Sequence, residues 1–309
     1  MDKQALQNEI IKLKNKKNAL IMAHYYQRDE IQEIADFIGD SLALAQKAAQ
    51  TDADIIVMCG VHFMGETAKI LCPDKKVLVP DLAAGCSLAD SCDPAEFENF
   101  VKEHPGYTVI SYVNTSAAVK ANTDIVVTSG NARKIVESLP ENEKIIFGPD
   151  KNLGGYINSV TGRDMLLWNG ACHVHDRFSL EKIVELKKQY PEAKVLVHPE
   201  CRRPIQLIAD KVGSTAALLA FAKQDNAKDY IVVTESGILF EMQKACMEKN
   251  FIPAPADDSE CQCNQCEYMK LNTLEKVLKA LENEQPEIIV DEKVVAEALK
   301  PIERMLQLS

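Results

Sequence analysis

The 309-residue sequence contains no apolar run that approaches the roughly 18 residues needed for a bilayer-spanning helix, so a membrane span of that kind is not expected. Nor is there an excess of basic residues. Lys and Arg number 35 against 46 Asp and Glu, leaving a formal net charge of -11. A general nucleic-acid or membrane-surface binder needs a basic face to neutralise phosphates, so neither partner is expected and any anionic ligand must be held locally. The first 17 residues lack the apolar centre of an export signal: Leu6, Ile10 and Leu13 recur at amphipathic helical spacing among polar residues. A cytoplasmic location is expected. No low-complexity linker interrupts the chain, which reads as one compact unit.

The composition, 46% hydrophobic and 26% charged, is that of an ordinary globular protein. Ten cysteines stand at 59, 72, 86, 92, 172, 201, 246, 261, 263 and 266. In a reducing compartment such residues serve as buried side chains, metal ligands or redox groups more often than as disulfides.

Three apolar, β-branched runs share one pattern: Leu20-Ile-Met-Ala-His-Tyr-Tyr26, Thr108-Val-Ile-Ser-Tyr-Val-Asn114 and Lys194-Val-Leu-Val-His-Pro-Glu200. Each passes from buried strand to polar end, which aligns His24 with Tyr112 and His198, and Tyr26 with Asn114 and Glu200. Residues two apart on a strand share a face. A second set reads Ala53 to Gly60, Thr123 to Gly130 and Lys228 to Gly237, and a third reads Lys76 to Asp81, Lys144 to Asp150 and Asn250 to Pro255. With helical patterns between them, including Glu30 to Ala49, Ala132 to Leu139 and Ser214 to Lys223, this predicts an α/β fold. It comprises three similar three-layer αβα lobes with parallel sheets. The lobes are placed at 1–105, 106–190 and 191–270, with C-terminal helices over 271–309. Ligands of open parallel sheets bind beyond the carboxyl ends of the strands, so three facing lobes would enclose one central site.

Each repeat is followed by a cysteine, Cys86, Cys172 and Cys266, at equivalent places. Their separations, 86 and 94 residues, form no ligand motif; the expectation of a shared metal is positional. Cys261-Gln-Cys263-Asn-Gln-Cys266 is the densest cluster. It lacks the second ligand pair of a zinc knuckle, and a Cys263/Cys266 redox dithiol stays open. Cys59 and Cys246 read as buried structural residues.

The flanking residues are more specific. Ala23-His-Tyr-Tyr26, Gly39-Asp-Ser41, Ala84-Gly-Cys86, Ser111-Tyr-Val-Asn114, Thr128-Ser-Gly130, Pro149-Asp-Lys-Asn-Leu-Gly154, Gly170-Ala-Cys-His-Val-His175, His198-Pro-Glu-Cys201, Gly213-Ser-Thr215 and Cys266-Glu-Tyr-Met-Lys-Leu-Asn272 occur in order along nearly the whole chain. Together they resemble the quinolinate synthase family of NAD biosynthesis. The resemblance implies a pseudo-threefold arrangement of lobes around a central active site and a 4Fe-4S cluster on Cys86, Cys172 and Cys266. It also implies condensation of iminoaspartate with dihydroxyacetone phosphate to quinolinate, with loss of phosphate and two waters, and functional coupling to an aspartate oxidase. Three thiolates on four irons leave one iron open as a Lewis acid.

Glu200 is the candidate general acid or base, on the expectation that enclosure raises its pKa toward neutrality, with Tyr26 as its partner and His24 and Tyr112 as further catalytic candidates. His24, His198, Tyr112 and Asn114 are expected to hold carboxylate or carbonyl oxygens, and His175 to donate to substrate or tune the cluster. His173 is expected to point elsewhere if its segment is extended. Ser41, Ser129, Ser214 and Thr215 stand at helix N-termini suited to phosphate or carboxylate. Two other classes remain: another iron-sulfur hydro-lyase acting on a small hydroxy acid, and a sugar-phosphate-binding protein without catalysis.

Overall fold

The computed structural model describes residues 2–257 and 264–309. Twelve strands among them form three parallel four-stranded sheets. The first holds β1 (Ala19–His24), β2 (Phe37–Gly39), β3 (Ile55–Cys59) and β4 (Lys76–Leu78) in the order β2-β1-β3-β4. The second holds β5 (Thr108–Tyr112), β6 (Ile125–Val127), β7 (Ile145–Gly148) and β8 (Leu166–Leu167) in the order β6-β5-β7-β8. The third holds β9 (Lys194–Val197), β10 (Lys211–Val212), β11 (Asp229–Val233) and β12 (Asn250–Pro253) in the order β10-β9-β11-β12. Helices flank each sheet, as the alternation of strand and helix patterns predicts.

The three sheets superimpose position by position in their registers. Ala23 pairs with Ile38, Ser111 with Val126 and Val197 with Val212, so His24, Tyr112 and His198 come next at equivalent places. An aspartate fixes that register in every lobe. The side chains of Asp36, Asp124 and Asp210 accept the backbone N–H of Ile21, Val109 and Val195 at 2.9, 2.8 and 2.8 Å. The backbone N–H of each aspartate donates to the carbonyl of the same partner residue.

This topology corrects the predicted alignment of the second lobe. Thr123 to Gly130 supplies β6, the edge strand equivalent to β2 and β10, and not the equivalent of β3 and β11. The run Lys144 to Asp150 supplies β7 in that central place, and Leu166–Leu167 closes the sheet. The predicted helix over Glu30 to Ala49 is likewise two helices, Asp29–Ile34 and Ser41–Gln50, separated by β2. Edge strands of two or three residues carry too few side chains to show a periodicity, so the pattern of longer apolar runs took their place.

One apolar core joins the lobes: Met22, Ile56, Ile110, Val126, Phe147, Leu196 and Val232 belong to a single buried cluster. The terminal helices complete it. Leu274, Val277, Leu278 and Leu281 fall on one face of the helix Leu274–Asn283, which Thr273 caps, and they pack with Leu6 and Ile10 of the helix Lys3–Lys16. Burying each such side chain contributes about 1.5–3 kcal/mol. The last helix, Glu292–Leu308, is capped by Asp291 and contains Pro301; Ala298, Ile302 and Met305 are buried in the central cluster.

Candidate active site

The carboxyl ends of all three sheets face one chamber, the place where ligands of open parallel sheets bind. Its walls are built in threes. His24, Tyr112 and His198 end or immediately follow the first strands, and Tyr26, Asn114 and Glu200 stand two residues on. Ser41, Ser129 and Thr215 follow the edge strands at equivalent positions, and Cys86, Cys172 and Cys266 close the fourth layer.

A hydrogen-bonded chain crosses the chamber wall from lobe to lobe. Tyr112 Oη donates to Glu200 Oε1 at 2.5 Å. His175 Nδ1 lies 2.9 Å from Glu200 Oε2 and 3.2 Å from the Cys172 sulfur. His175 Nε2 is 2.9 Å from Thr234 Oγ1, which is 2.7 Å from Tyr26 Oη, itself 2.8 Å from Thr215 Oγ1. The chemistry of the ends orients the middle. A carboxylate only accepts, so His175 donates from Nδ1, and with its hydrogen there Nε2 accepts from Thr234. Thr234 then accepts from Tyr26, and Tyr26 from Thr215.

The two equivalent histidines have defined tautomers for a similar reason. The backbone N–H of Tyr26 donates to His24 Nδ1 at 3.1 Å, and that of Glu200 to His198 Nδ1 at 3.4 Å. In each neutral ring the hydrogen therefore sits on Nε2. Burial is the main reason that both imidazoles are held neutral, at pKa values of about 3. The phenols of Tyr26 and Tyr112 are pushed well above their ordinary range, first by burial and, for Tyr112, also by the Glu200 carboxylate.

Glu200 departs from expectation. Burial raises its pKa, but the neighbouring His175 and the hydrogen bonds from His175 and Tyr112 outweigh burial and hold it below the ordinary carboxylate range. An ionised acceptor, and not an acid near neutrality, is the resting form.

Each of the three chamber cysteines starts a single helical turn. The carbonyls of Cys86, Cys172 and Cys266 accept from the N–H four residues on, at Asp90, Asp176 and Lys270. Backbone amides at the start of the turn favour the thiolates: those of Ala89 and Leu88 act on Cys86, that of His175 on Cys172, and those of Met269 and Tyr268 on Cys266. Burial acts more strongly and raises all three thiols, Cys86 to about 12 and Cys266 to about 11. A thiol so disfavoured as a bare anion is stabilised as thiolate by a bound metal. Cys261 and Cys263 lie outside the described residues. Cys59, Cys72, Cys92, Cys201 and Cys246 are buried away from the chamber lining.

Of the sequence candidates, only Ser214 is absent from the lining. It is the N-cap of the helix Thr215–Gln224 and hydrogen-bonds with Asp40. His173, expected to turn away, lies in the wall. Its segment is helical, and its Nδ1 is 2.6 Å from Ser87 Oγ, so it bridges the first two cysteine loops. Several lining residues were not singled out: Asp40 and Thr128 after the edge strands, Glu235 after β11, and Phe63, Met64, Tyr268 and Met269 on the apolar side. Thr234 joins the hydrogen-bonded chain behind them. A correct alignment of β7 with β11 would have drawn attention to Pro149-Asp150 and Thr234-Glu235, because polar residues just beyond a central strand of such a sheet face the ligand crevice.

A family model described as NadA, quinolinate synthetase A protein, matches residues 8–307. The chain is 55% identical over 301 residues to the quinolinate synthase of Chloroherpeton thalassium, covering 97% of this chain and 94% of that one. It is 56% identical over 297 residues to the quinolinate synthase of a Synechocystis species, covering 96% and 93%. It is 55% identical over 300 residues to that of Trichodesmium erythraeum, covering 97% and 93%.

Proposed function

Because this chain belongs to the quinolinate synthetase A protein family, and so is an enzyme of the quinolinate synthase type, we propose that it joins iminoaspartate to dihydroxyacetone phosphate. The product is quinolinate, with phosphate and two waters released, and Cys86, Cys172 and Cys266 hold a 4Fe-4S cluster in the chamber. The observation that carries this reading is the convergence of one cysteine from each lobe on a chamber that also holds a polarised acid-base chain.

The donor set supports a group larger than one ion. Among the described residues, the three ligand atoms found within 4.8 Å of one another belong to Cys172, His175 and Glu200. The hydrogen bonds of His175 account for that closeness without a metal. The sulfurs of Cys86, Cys172 and Cys266 are not all within 4.8 Å of one another, so they are not gathered as ligands of a single ion. When bound, the cluster supplies a Lewis acid at the iron that no cysteine holds.

The chain's own residues then have distinct tasks. Ser41 at a helix start and Ser129 in the turn before one offer hydroxyl donors for the phosphate or a carboxylate, and Thr215, whose hydroxyl is engaged with Tyr26, offers the backbone amides of its helix start. His24 and His198 present Nε2–H to substrate oxygens. A proton taken up at Tyr26 Oη passes through Thr234 Oγ1 to His175 Nε2, while the Nδ1 proton moves to Glu200. Tyr112 Oη, fed by that protonated carboxyl, returns a proton to a leaving hydroxyl. Each dehydration needs one such removal and one such delivery.

The chamber, by this reading, lies between lobes at 1–105, 106–190 and 191–270, with 271–309 packed against them. No described helix is long and apolar enough to cross a membrane; the reaction is assigned to the cytoplasm, where an aspartate oxidase supplies the unstable imine. Anaerobic purification with iron and sulfide analysis tests the cofactor: about four of each per chain are expected, and zinc without sulfide refutes it. Incubation of the iron-loaded protein with both substrates tests the reaction. Quinolinate is the expected product, and its absence overturns the assignment in favour of another hydro-lyase.

A further inference from the structure

Two fully buried carboxylates stand directly behind two of the three chamber cysteines. Asp150 lies two residues beyond β7 and Glu235 two beyond β11, and the registers Ser111 to Gly148 and Val197 to Val233 make these positions equivalent. Asp150 Oδ2 accepts the backbone N–H of Cys172 at 3.1 Å, and its Oδ1 accepts that of Leu153 at 2.7 Å. Glu235 Oε1 accepts the backbone N–H of Cys266 at 3.0 Å and lies 3.1 Å from Lys270 Nζ, while its Oε2 accepts from Gly237 N–H at 2.6 Å. Glycines admit both arrangements. A Cβ on Gly170 would stand 2.6 Å from the Pro149 carbonyl oxygen, and one on Gly237 would stand 2.8 Å from the Tyr26 backbone.

The first lobe lacks this device. Ala23 to Cys59 is the matching register, so the equivalent position is Val61, which has no side-chain acceptor. The Cys86 loop is tied instead by His62 N–H to the Ala84 carbonyl at 2.7 Å, and by Asp81 Oδ1 accepting from Ala83 at 2.9 Å. None of these bonds reaches the Cys86 amide itself. A buried amide held by a buried side-chain oxygen is restrained, and leaving such an amide without its acceptor is unfavourable.

We infer that Asp150 and Glu235 are positioning residues that fix the Cys172 and Cys266 loops before any metal arrives, leaving Cys86 on the adaptable third loop. The inference concerns loop order in the chain itself, and rests on the cluster reading only for its purpose. Each ligand loop that is already ordered spares the binding step that loss of freedom, so two rigid ligands and one compliant one let the site both select and close on its cluster.

Amide hydrogen exchange on the full chain stripped of metal reads this directly. In the unaltered protein the segment around Cys86 should exchange on the order of tenfold faster than those around Cys172 and Cys266. Asp150→Asn should raise exchange at Cys172 alone and Glu235→Gln at Cys266 alone, by about the same factor. A merely structural role would loosen the whole lobe. Equal protection of the three loops in the unaltered protein, or unchanged local exchange in a folded variant, overturns the inference; should one variant not fold, the other and the unaltered chain still decide. In the loaded protein, both substitutions should speed bleaching of the cluster by an iron chelator several-fold. Absence of iron and sulfide would refute the cofactor reading while leaving the exchange result to stand on its own.

Discussion

Glu200 is 3% exposed, yet it is held as a carboxylate because Tyr112 and His175 donate to its two oxygens. Ionisation at one end orders the chain of donors that ends at Tyr26, and Thr234 is its least replaceable link: a hydroxyl that accepts from a phenol and donates to an imidazole. Thr234→Val keeps the shape and removes both bonds. The expected result is a fall in kcat of about 10²–10⁴-fold, the usual weight of general acid-base catalysis, with KM little changed and Thr234→Ser restoring most of the rate. Steady-state kinetics of quinolinate formation would decide, and a valine variant with unaltered kcat would remove Thr234 from the proton path. Sequence reading reached Tyr26 and Glu200, since both close a recognisable strand, but missed Thr234. A threonine after a strand is an ordinary residue until a partner from another lobe comes within hydrogen-bonding distance.

At the scale of elements, the aspartates Asp36, Asp124 and Asp210 make the three first strands equivalent. Asp124 offers the simplest test, because Asp36 also pairs with Lys14 and Asp210 with Lys194. Asp124→Ala leaves the Val109 N–H without its acceptor and should destabilise the protein by about 1–3 kcal/mol. A lowered midpoint in chemical denaturation with an unchanged slope would show it, whereas an unchanged midpoint would mean that water replaces the bond at no penalty. The same bond explains what the sequence hid. Three residues in β2 and two in β10 are too short for periodicity to reveal. Their place in the sheet comes from side chain to backbone bonds spanning 15 residues, and no local pattern announces those.

Over the whole molecule, the last helix matters because it seals the core shared by the lobes. Ile302 is fully buried in the central cluster and does not line the chamber. Ile302→Ala should therefore cost about 2–5 kcal/mol of stability while leaving kcat intact under conditions where the chain is folded. Denaturation and kinetics on the same sample check both halves of that expectation, and a selective loss of activity would contradict it. C-terminal helices were expected over 271–309, and the buried faces the structure gives them, Leu274, Val277, Leu278 and Leu281 and then Ala298, Ile302 and Met305, repeat at helical spacing.

Cys86, Cys172 and Cys266 mark the division between the two sources of information. Apolar patterning alone was enough for three parallel αβα lobes and for polar residues at the ends of the first strands, because periodicity and a switch from apolar to polar are local properties of a chain. The ordered motifs around the cysteines were enough for the family. Tertiary structure alone decided which edge strand each lobe uses, that Glu200 is ionised, that His173 faces inward, and that buried carboxylates brace two of the three cysteines while the first has none. Those outcomes depend on distances between residues up to about two hundred positions apart, as between Tyr26 and Thr234. Burial and hydrogen bonding act through space, so such properties exist only once the lobes have met.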